Sequence, residues 1–204
     1  MHLYLPIVIS NDLTRPISLV KLAHALIKEK VKSGDIVIDA TVGNGYDTGF
    51  LYALVEPNGN VYGFDIQEAA IDKAKNIENY EQALSCLTLI CASHADMADY
   101  IPLEHWGRIS AVMFNLGYLP GSDKQIKTQS ESTLLALASA SRLLKPGGLI
   151  TILAYPGHAG GDVETYTVDQ WRLSLDAMLY QTALYENHPE NPHAPKLFTV
   201  TKIG

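Results

Sequence analysis

The order of apolar and polar positions along the chain predicts an alternation of helices and strands. From Arg15 to Val31, apolar residues recur every three or four positions with lysines and a glutamate between them, which is typical of an amphipathic helix. After the break at Ser33-Gly34-Asp35, the run Ile36-Val37-Ile38 is short and β-branched, as in a strand buried on both faces. Residues 1–33 are therefore predicted to be a helical segment packed on the domain that follows.

The alternation continues to the end of the chain. The predicted elements are strand 61–64, helix 68–80, strand 87–90, strand 109–114, helix 130–144, strand 149–153 and helix 168–178. Lys145-Pro146-Gly147-Gly148 is expected to end the long helix, because proline and glycine disfavour its continuation. Two final strands, 181–185 and 197–202, have no convincing helix between them and are expected to pair like a hairpin.

This alternation predicts an α/β fold with a mostly parallel sheet covered by helices on both faces. The final pair of strands predicts an antiparallel strand at the edge of the sheet. In such sheets ligands bind beyond the carboxyl ends of the strands. A chain of 204 residues has room for one such domain with a full core, so residues 1–204 are predicted to form a single domain.

Composition narrows the classes of partner. With a formal net charge of −7, the chain is not expected to bind a polyanion through its whole surface, so any nucleic acid must meet a local basic patch. Two cysteines are too few for a disulfide framework or a four-cysteine zinc site, and the histidines lack metal-ligand spacing, so no metal is expected. The sequence has no apolar run of 18 residues and no signal-peptide pattern at its start, so we expect a cytoplasmic protein without a membrane span.

A segment rich in glycine and acidic residues, Asp39-Ala-Thr-Val-Gly-Asn-Gly-Tyr-Asp-Thr48, follows the first predicted strand. Gly43 and Gly45 lack a β-carbon, so the backbone can turn tightly there and approach a bound molecule. A helix is expected to start near Tyr46, and its free N–H groups favour the polar or anionic part of a ligand. Alternatively, the segment could form a tight turn that binds no ligand.

Two classes of cofactor compete for this segment. A dinucleotide fingerprint requires a third glycine at the position of Thr48, so the match to an NAD site is incomplete. Asp39 and Asp47 would repel a pyrophosphate, whereas they would offset the ammonium and sulfonium charges of S-adenosylmethionine. The segment therefore favours S-adenosylmethionine over NAD.

Polar residues also follow the second and third predicted strands. Asp65 lies about 20 residues beyond Gly45, where a carboxylate can accept both hydroxyls of a ribose, although it could also cap a helix. Ser93-His94-Ala95-Asp96 could flank an adenine ring, while Asp96 could equally cap a short helix. Both positions support a cofactor that contains a nucleoside.

The segment Asn115-Leu-Gly-Tyr-Leu-Pro-Gly121 follows the fourth predicted strand. Asn115 could accept a hydrogen bond from a substrate amine, and Tyr118 could stack on a base, a contact worth roughly 1–3 kcal/mol. A loop that merely closes the strand is the alternative. Methyl transfer to an amine needs a nitrogen lone pair in line with the sulfonium and the removal of a proton.

A histidine follows the fifth predicted strand, in Tyr155-Pro-Gly-His158-Ala-Gly-Gly161. Imidazole can take a proton from an ammonium substrate near neutral pH. His158 is therefore a candidate proton acceptor, or else a structural hydrogen-bond partner.

Together these segments resemble a bacterial family long labelled putative rRNA methylase, whose characterised members are tRNA methyltransferases. Those enzymes convert 5-aminomethyl-2-thiouridine at the anticodon wobble position to the 5-methylaminomethyl form. The resemblance runs from about Leu22 to the C-terminus. It is carried by the segment 39–48, Phe64-Asp-Ile-Gln67, Ser93-His94, Asn115-Leu-Gly-Tyr-Leu-Pro120 and Tyr155-Pro-Gly-His158.

The resemblance implies a Rossmann-like class I methyltransferase fold, with seven strands in the order 3-2-1-4-5-7-6 and strand 7 antiparallel. It implies S-adenosyl-L-methionine as the cofactor. The common methyltransferase signature has a glycine where this chain has Thr41, a threonine that the family shares.

The resemblance also assigns site residues. Asn44, Asp47 and Thr48 would line the methionine end, Asp65 and Gln67 the ribose and adenine side, and His94 the adenine rim. The remaining expected cofactor residues are Asp39, Thr41, Gly43, Gly45 and Ser93. Asn115, Tyr118 and His158 would face the target amine, with Leu116, Gly117, Lys124 and Lys127 as further substrate-binding residues.

The leading hypothesis is therefore N-methylation of the 5-aminomethyl group of a wobble (2-thio)uridine, with the tRNA anticodon stem-loop as partner. Lys124, Lys127 and Lys196 are the candidate cations for the RNA. The alternatives are methylation of rRNA or of a small amine, an NAD-dependent oxidoreductase, and a regulatory module without catalysis. The residues leave the oligomeric state open between a monomer and a homodimer.

Overall fold

In the computed structural model, which describes residues 3–4, 18–75, 85–117 and 128–204, eight strands form one sheet. Their spatial order is β1-β7-β8-β6-β5-β2-β3-β4. The strands are β1 (Leu3–Tyr4), β2 (Ile36–Asp39), β3 (Asn60–Asp65), β4 (Leu87–Cys91), β5 (Ile109–Asn115), β6 (Leu144–Ala154), β7 (Tyr180–Glu186) and β8 (Lys196–Lys202).

Helices cover both faces of this sheet. Among the described residues they are α1 (Leu19–Lys30), α2 (Tyr46–Val55), α3 (Glu68–Ala74), α4 (Met97–Tyr100), α5 (Ser130–Leu143) and α6 (Gly161–Ser174). Side chains of β2 show why both faces are covered: Ile36 and Ile38 pack in one apolar cluster with α5, and Val37 packs in another with α1 and α2. Alternate residues of a strand point to opposite faces, so an all-apolar strand requires a helix layer on each side.

The order of seven strands agrees with the class I methyltransferase arrangement. Strands β2 to β6 run parallel to one another, and β8 is antiparallel to both β6 and β7. The antiparallel strand is therefore not at the edge of the sheet, as the residues alone had suggested, but lies between β6 and β7. Its run Leu197, Phe198 and Val200 is fully buried, as expected of an interior strand.

An eighth strand was not predicted. The two residues of β1 pair in parallel with β7 at the edge of the sheet, within the stretch 1–33 that was expected to be helical. Helix α1 begins at Leu19 and ends at Lys30, inside the predicted range of 15–31. Residues 5–17 lie outside the described residues.

Two other boundaries differ from expectation. Strand β6 begins at Leu144, directly after α5, and the segment 145–148 lies in a register shift of the β5–β6 pairing rather than in a separate turn. Helix α6 begins at Gly161 instead of Val168 and ends at Ser174. A β-carbon at Gly161 would clash with the Tyr155 carbonyl oxygen, so the start of α6 packs directly on the end of β6.

The remaining predicted helix, 68–80, is described only as far as α3, and residues 76–84 lie outside the described part. Within the described ranges, no helix is both long and apolar enough to cross a membrane.

Candidate active site

The carboxyl ends of the parallel strands β2 to β6 open onto one cavity of about 880 Å³. Ligands of open α/β sheets bind at this edge. The predicted site residues that line the cavity are Thr41, Gly43, Asn44, Asp47, Asp65, Gln67, Ser93, His94, Asn115, Leu116, Gly117 and His158. Its other lining residues include Val20, Tyr46, Thr128, Gln129, Ser132, Tyr155 and His193, which the sequence did not single out for a role.

The turn between β2 and α2 has the backbone that its glycines permit. Gly43 has a φ of 54° and Gly45 a φ of 81°, and Gly45 is the residue that precedes α2. Side chains are strained in this left-handed region, so the two glycines are needed for the turn itself. Tyr46 and Asp47 in the first turn of α2 line the cavity, so the N–H groups of this turn, which have no partner within the helix, lie at the cavity edge.

Asp39 lies beneath this turn and does not line the cavity. It is fully buried, and its two carboxylate oxygens accept hydrogen bonds from the Thr41 N–H at 3.1 Å and the Thr48 hydroxyl at 2.6 Å. Burial, together with the nearby charge of Asp47, raises the pKa of Asp39 to about 7. Asp39 and Thr48 thus hold the turn from behind, whereas the sequence had placed both among the cofactor contacts.

Asp65, at the end of β3, lines the cavity beside the turn. Its Oδ2 accepts from the Gly43 N–H and its Oδ1 from the Gln67 N–H, both at 2.9 Å. Residue Gln67, not Asp65, is the N-cap of α3. Because each carboxylate oxygen has more than one lone pair, Asp65 can accept ribose hydroxyls in addition to these backbone donors.

The loop after β4 contributes Ser93 and His94. The Ser93 hydroxyl accepts from the Ala95 N–H at 3.2 Å and so caps a short 3₁₀ turn, while Asp96 makes no capping bond with its side chain. His94 is buried, which lowers its pKa, and its Nδ1 lies 3.2 Å from the Ala40 carbonyl oxygen. A carbonyl only accepts, so Nδ1 carries the proton of the neutral ring and Nε2 is left as a hydrogen-bond acceptor.

At the end of β5, Asn115 contacts the turn between β2 and α2, which we call the glycine turn. Its backbone N–H donates to the Thr41 hydroxyl at 2.7 Å, a contact that a glycine at position 41 could not make. Its side-chain Nδ2 donates to Asp47 Oδ2. His24 on α1 donates from Nε2 to Asp47 Oδ1 at 2.6 Å, so each oxygen of this nearly buried carboxylate already accepts a hydrogen bond.

Gly117 and Thr128 bring together the two ends of the segment 118–127. The Gly117 N–H donates to the Thr128 hydroxyl and the Thr128 N–H donates to the Gly117 carbonyl, each at 2.8 Å. Glu164, buried on α6, accepts from the hydroxyls of Thr128 and Thr133 at 2.7 Å. No pattern in the sequence had indicated Glu164. Tyr118, Lys124 and Lys127 lie between these ends, outside the described residues, and their roles stay predictions.

His158 and Tyr155 form the rim beyond β6. A β-carbon on Gly117 would lie 3.5 Å from His158 Nε2, which places the imidazole beside the Asn115 strand end. Burial, with the charge of Asp47, raises the pKa of Tyr155, so its hydroxyl stays protonated at neutral pH. Lys196 is not brought to this cavity: its Nζ lies 2.6 Å from Glu186 Oε1.

A family model described as "Putative rRNA methylase" matches residues 61–201. The chain belongs to this family. It is also 40% identical over 165 residues to a chloroplastic tRNA (mnm(5)s(2)U34)-methyltransferase of Arabidopsis thaliana, an alignment that covers 76% of this chain. This chain spans only 59% of the length of that relative.

Solved structures of similar proteins confirm the class I methyltransferase fold. A putative rRNA-methylase from Clostridium thermocellum is 38% identical, with a TM-score of 0.86 over 93% of this chain and 100% of its own. A putative methyltransferase from Streptococcus mutans, in complex with SAH, is 31% identical, with a TM-score of 0.78 over 93% of this chain and 100% of its own.

Proposed function

We propose that this protein is an S-adenosylmethionine-dependent methyltransferase that N-methylates the 5-aminomethyl group of a wobble (2-thio)uridine in tRNA. The product would be 5-methylaminomethyl-(2-thio)uridine. The observation that carries the proposal is the amide of Asn115 at the carboxyl end of β5, held by Asp47 in the same cavity as the glycine turn and Asp65. The tRNA substrate is supported by the name of the Arabidopsis relative.

The residues present fit S-adenosylmethionine. Its ribose hydroxyls match the acceptor oxygens of Asp65, and its adenine amino group matches the acceptor Nε2 of His94. Its methionine carboxylate matches the free N–H groups at the start of α2. The bound cofactor supplies an electrophilic methyl group on a positively charged sulfur.

NAD fits the same cavity less well. Its pyrophosphate would lie at the turn that contains Asp47, a carboxylate on the cavity wall that opposes further negative charge. The SAH complex of the Streptococcus mutans relative also supports S-adenosylmethionine.

The amine of the substrate has to present its lone pair to the methyl group. Because the Nδ2 of Asn115 donates to Asp47, its Oδ1 is the end that accepts an N–H of the amine. One such hydrogen bond orients the nitrogen while leaving its lone pair free for attack. The amine must also lose a proton, and the imidazole of His158 lies at the same rim to take it directly or through water.

Binding of the anticodon stem-loop has to overcome the net charge of −7. We assign this to a local patch with Lys124 and Lys127, and to stacking of a splayed base on Tyr118, all in the segment whose ends meet at Gly117 and Thr128.

Mass spectrometry of tRNA nucleosides tests the proposal. Undermethylated tRNA that carries 5-aminomethyl-2-thiouridine, incubated with the protein and S-adenosylmethionine, is expected to gain one methyl group on that nucleoside. Retention of the unmethylated nucleoside would contradict the substrate, and transfer of label to rRNA or a small amine would identify another one. Calorimetry with adenosylhomocysteine and with NAD tests the cofactor separately, and binding of NAD alone would overturn it.

A further inference from the structure

We infer that His24 is a positioning residue for methyl transfer, acting through Asp47 on the amide of Asn115. The inference rests on the proposed function, since it concerns how the amine would be oriented. His24 lies on α1, outside the residues 61–201 that the family model matches. No motif in the sequence pointed to it.

The three side chains form a continuous chain of hydrogen bonds from α1 through α2 to β5. His24 Nε2 lies 2.6 Å from Asp47 Oδ1, and Asp47 Oδ2 accepts from Asn115 Nδ2. The side chain of Asp47 is only 9% exposed. Water therefore has little access to replace either partner, and the position of the carboxylate depends on His24 and Asn115.

These hydrogen bonds determine which end of the Asn115 amide faces the substrate. A carboxylate only accepts hydrogen bonds, so the NH₂ group of the amide must face Asp47 and the carbonyl oxygen must lie at the opposite end. In the flipped orientation, the NH₂ group would donate to the amine and occupy the lone pair that has to attack the methyl group. A fixed Asp47 thus excludes the unproductive orientation.

His24 is itself held in place. Its ring stacks on Phe50, with ring centroids 3.9 Å apart and an angle of 4° between the planes. Phe50 is three residues after Asp47 on α2, so both lie on the same face of that helix. The stack fixes the plane of the imidazole, and the hydrogen bond fixes Asp47 against it.

Two substitutions separate the hydrogen bond from the stack. His24→Phe keeps an aromatic ring for Phe50 but removes the donor, and His24→Gln keeps an N–H donor but removes the ring. We expect His24→Phe to lower kcat by about tenfold or more, because a buried hydrogen bond to a charged group is lost. We expect His24→Gln to retain most of kcat. The KM for S-adenosylmethionine should stay nearly unchanged in both.

A purely structural role predicts the reverse order, with His24→Gln the more damaged variant, and that order would overturn the inference. Equal kcat in wild type and both variants would overturn it as well. NMR gives a second readout: the Asn115 side-chain amide signals should move in His24→Phe and return towards their wild-type positions in His24→Gln. If His24→Phe does not fold, His24→Leu serves as the variant without a donor.

The wild-type protein in the same assay separates this inference from the proposed function. If wild type transfers no methyl group to the tRNA, the proposed substrate is wrong. The kcat values of the two variants are then compared with the acceptor that does take the methyl group. If wild type is active and His24→Phe equals it, only the role of His24 is wrong.

Discussion

The two halves of the cavity are built in different ways. The half formed by the glycine turn and the end of β3 is held by contacts between residues close in the sequence: Thr48 and Asp39 are nine residues apart, and Gly43 and Asp65 are 22 apart. The half around Asn115 is held by contacts between distant elements. Asn115 lies 74 residues from Thr41 and 68 from Asp47, and Thr128 lies 36 from Glu164.

This difference indicates that one half of the cavity binds the cofactor and the other positions the substrate. Most donors in the first half are backbone N–H groups, so the cofactor surface is fixed as soon as the strand, turn and helix form. In the second half, most of the hydrogen bonds join two side chains, and the surface depends on the correct packing of α1, α5 and α6 on the sheet. Substitutions should therefore separate cofactor binding from turnover.

The largest expected effect is on turnover. Asn115→Ala removes the acceptor for the amine, so we expect kcat for tRNA methylation to fall roughly a hundredfold or more. The affinity for adenosylhomocysteine, measured by calorimetry, should be almost unchanged. Asn60→Ala, at the amino end of β3 and so at the edge of the sheet away from the cavity, is the matched control and should keep both quantities. A loss of adenosylhomocysteine binding in Asn115→Ala would mean that the two halves are not separable.

Asp65→Asn tests the other half. The amide cannot accept with both of its ends, so one backbone donor or one ribose hydroxyl loses its partner. We expect the affinity for adenosylhomocysteine to fall on the order of tenfold to a hundredfold, while kcat at saturating S-adenosylmethionine changes little. Asp99→Asn, on the exposed side of α4, serves as the control. An unchanged affinity would remove Asp65 from the cofactor site.

The contrast also explains what could be predicted from the sequence. Every strand that lines the cavity was predicted, because an apolar run followed by polar residues is visible over a few positions. The candidate residues at the ends of β2, β3, β4 and β5 follow from the same local pattern. The glycine turn and the start of α2 were predicted to within one residue for the same reason.

Residues that act across elements could not be predicted in this way. His24 stands in an ordinary amphipathic helix, and Glu164 stands in a helix whose predicted start came after it. Neither has a local signal, since each depends on a partner on another element. The residues alone predicted an antiparallel strand at the edge, because pairing between distant strands is not encoded in either strand alone; the position of β8 between β6 and β7 followed only from the resemblance to the family.

Glu164→Gln should have a moderate effect. Glu164 accepts from two threonine hydroxyls, and a glutamine offers one oxygen and one NH₂ group, so one hydroxyl loses its acceptor. We expect the free energy of unfolding to fall by about 1–3 kcal/mol. The KM for tRNA should also rise, because Thr128, which pairs with Gly117, would lose part of its hydrogen bonding to α6. Denaturant unfolding and steady-state kinetics measure the two effects.

The matched control for Glu164 is Glu190→Gln, whose side chain is 72% exposed and lies 3.2 Å from His188. An exposed ion pair contributes little, so neither quantity should change. Equal behaviour of the two variants would show that Glu164 does not support the substrate half.

The last expected effect concerns stability alone, through its dependence on pH. The pKa of Asp39 is raised from 3.8 to about 7, by burial first and then by the charge of Asp47. The folded chain therefore binds more protons than the unfolded chain between these values, and the stabilising contribution of protonated Asp39 is complete below 3.8 and is lost as pH rises through about 7. Asp39→Asn stays uncharged at every pH. The free energy of unfolding of this variant, relative to wild type, should thus increase across that range and then level off. A constant difference in denaturant unfolding from acid to neutral pH would show that Asp39 is already ionised beneath the turn, and that the cofactor half holds a full negative charge there without a ligand.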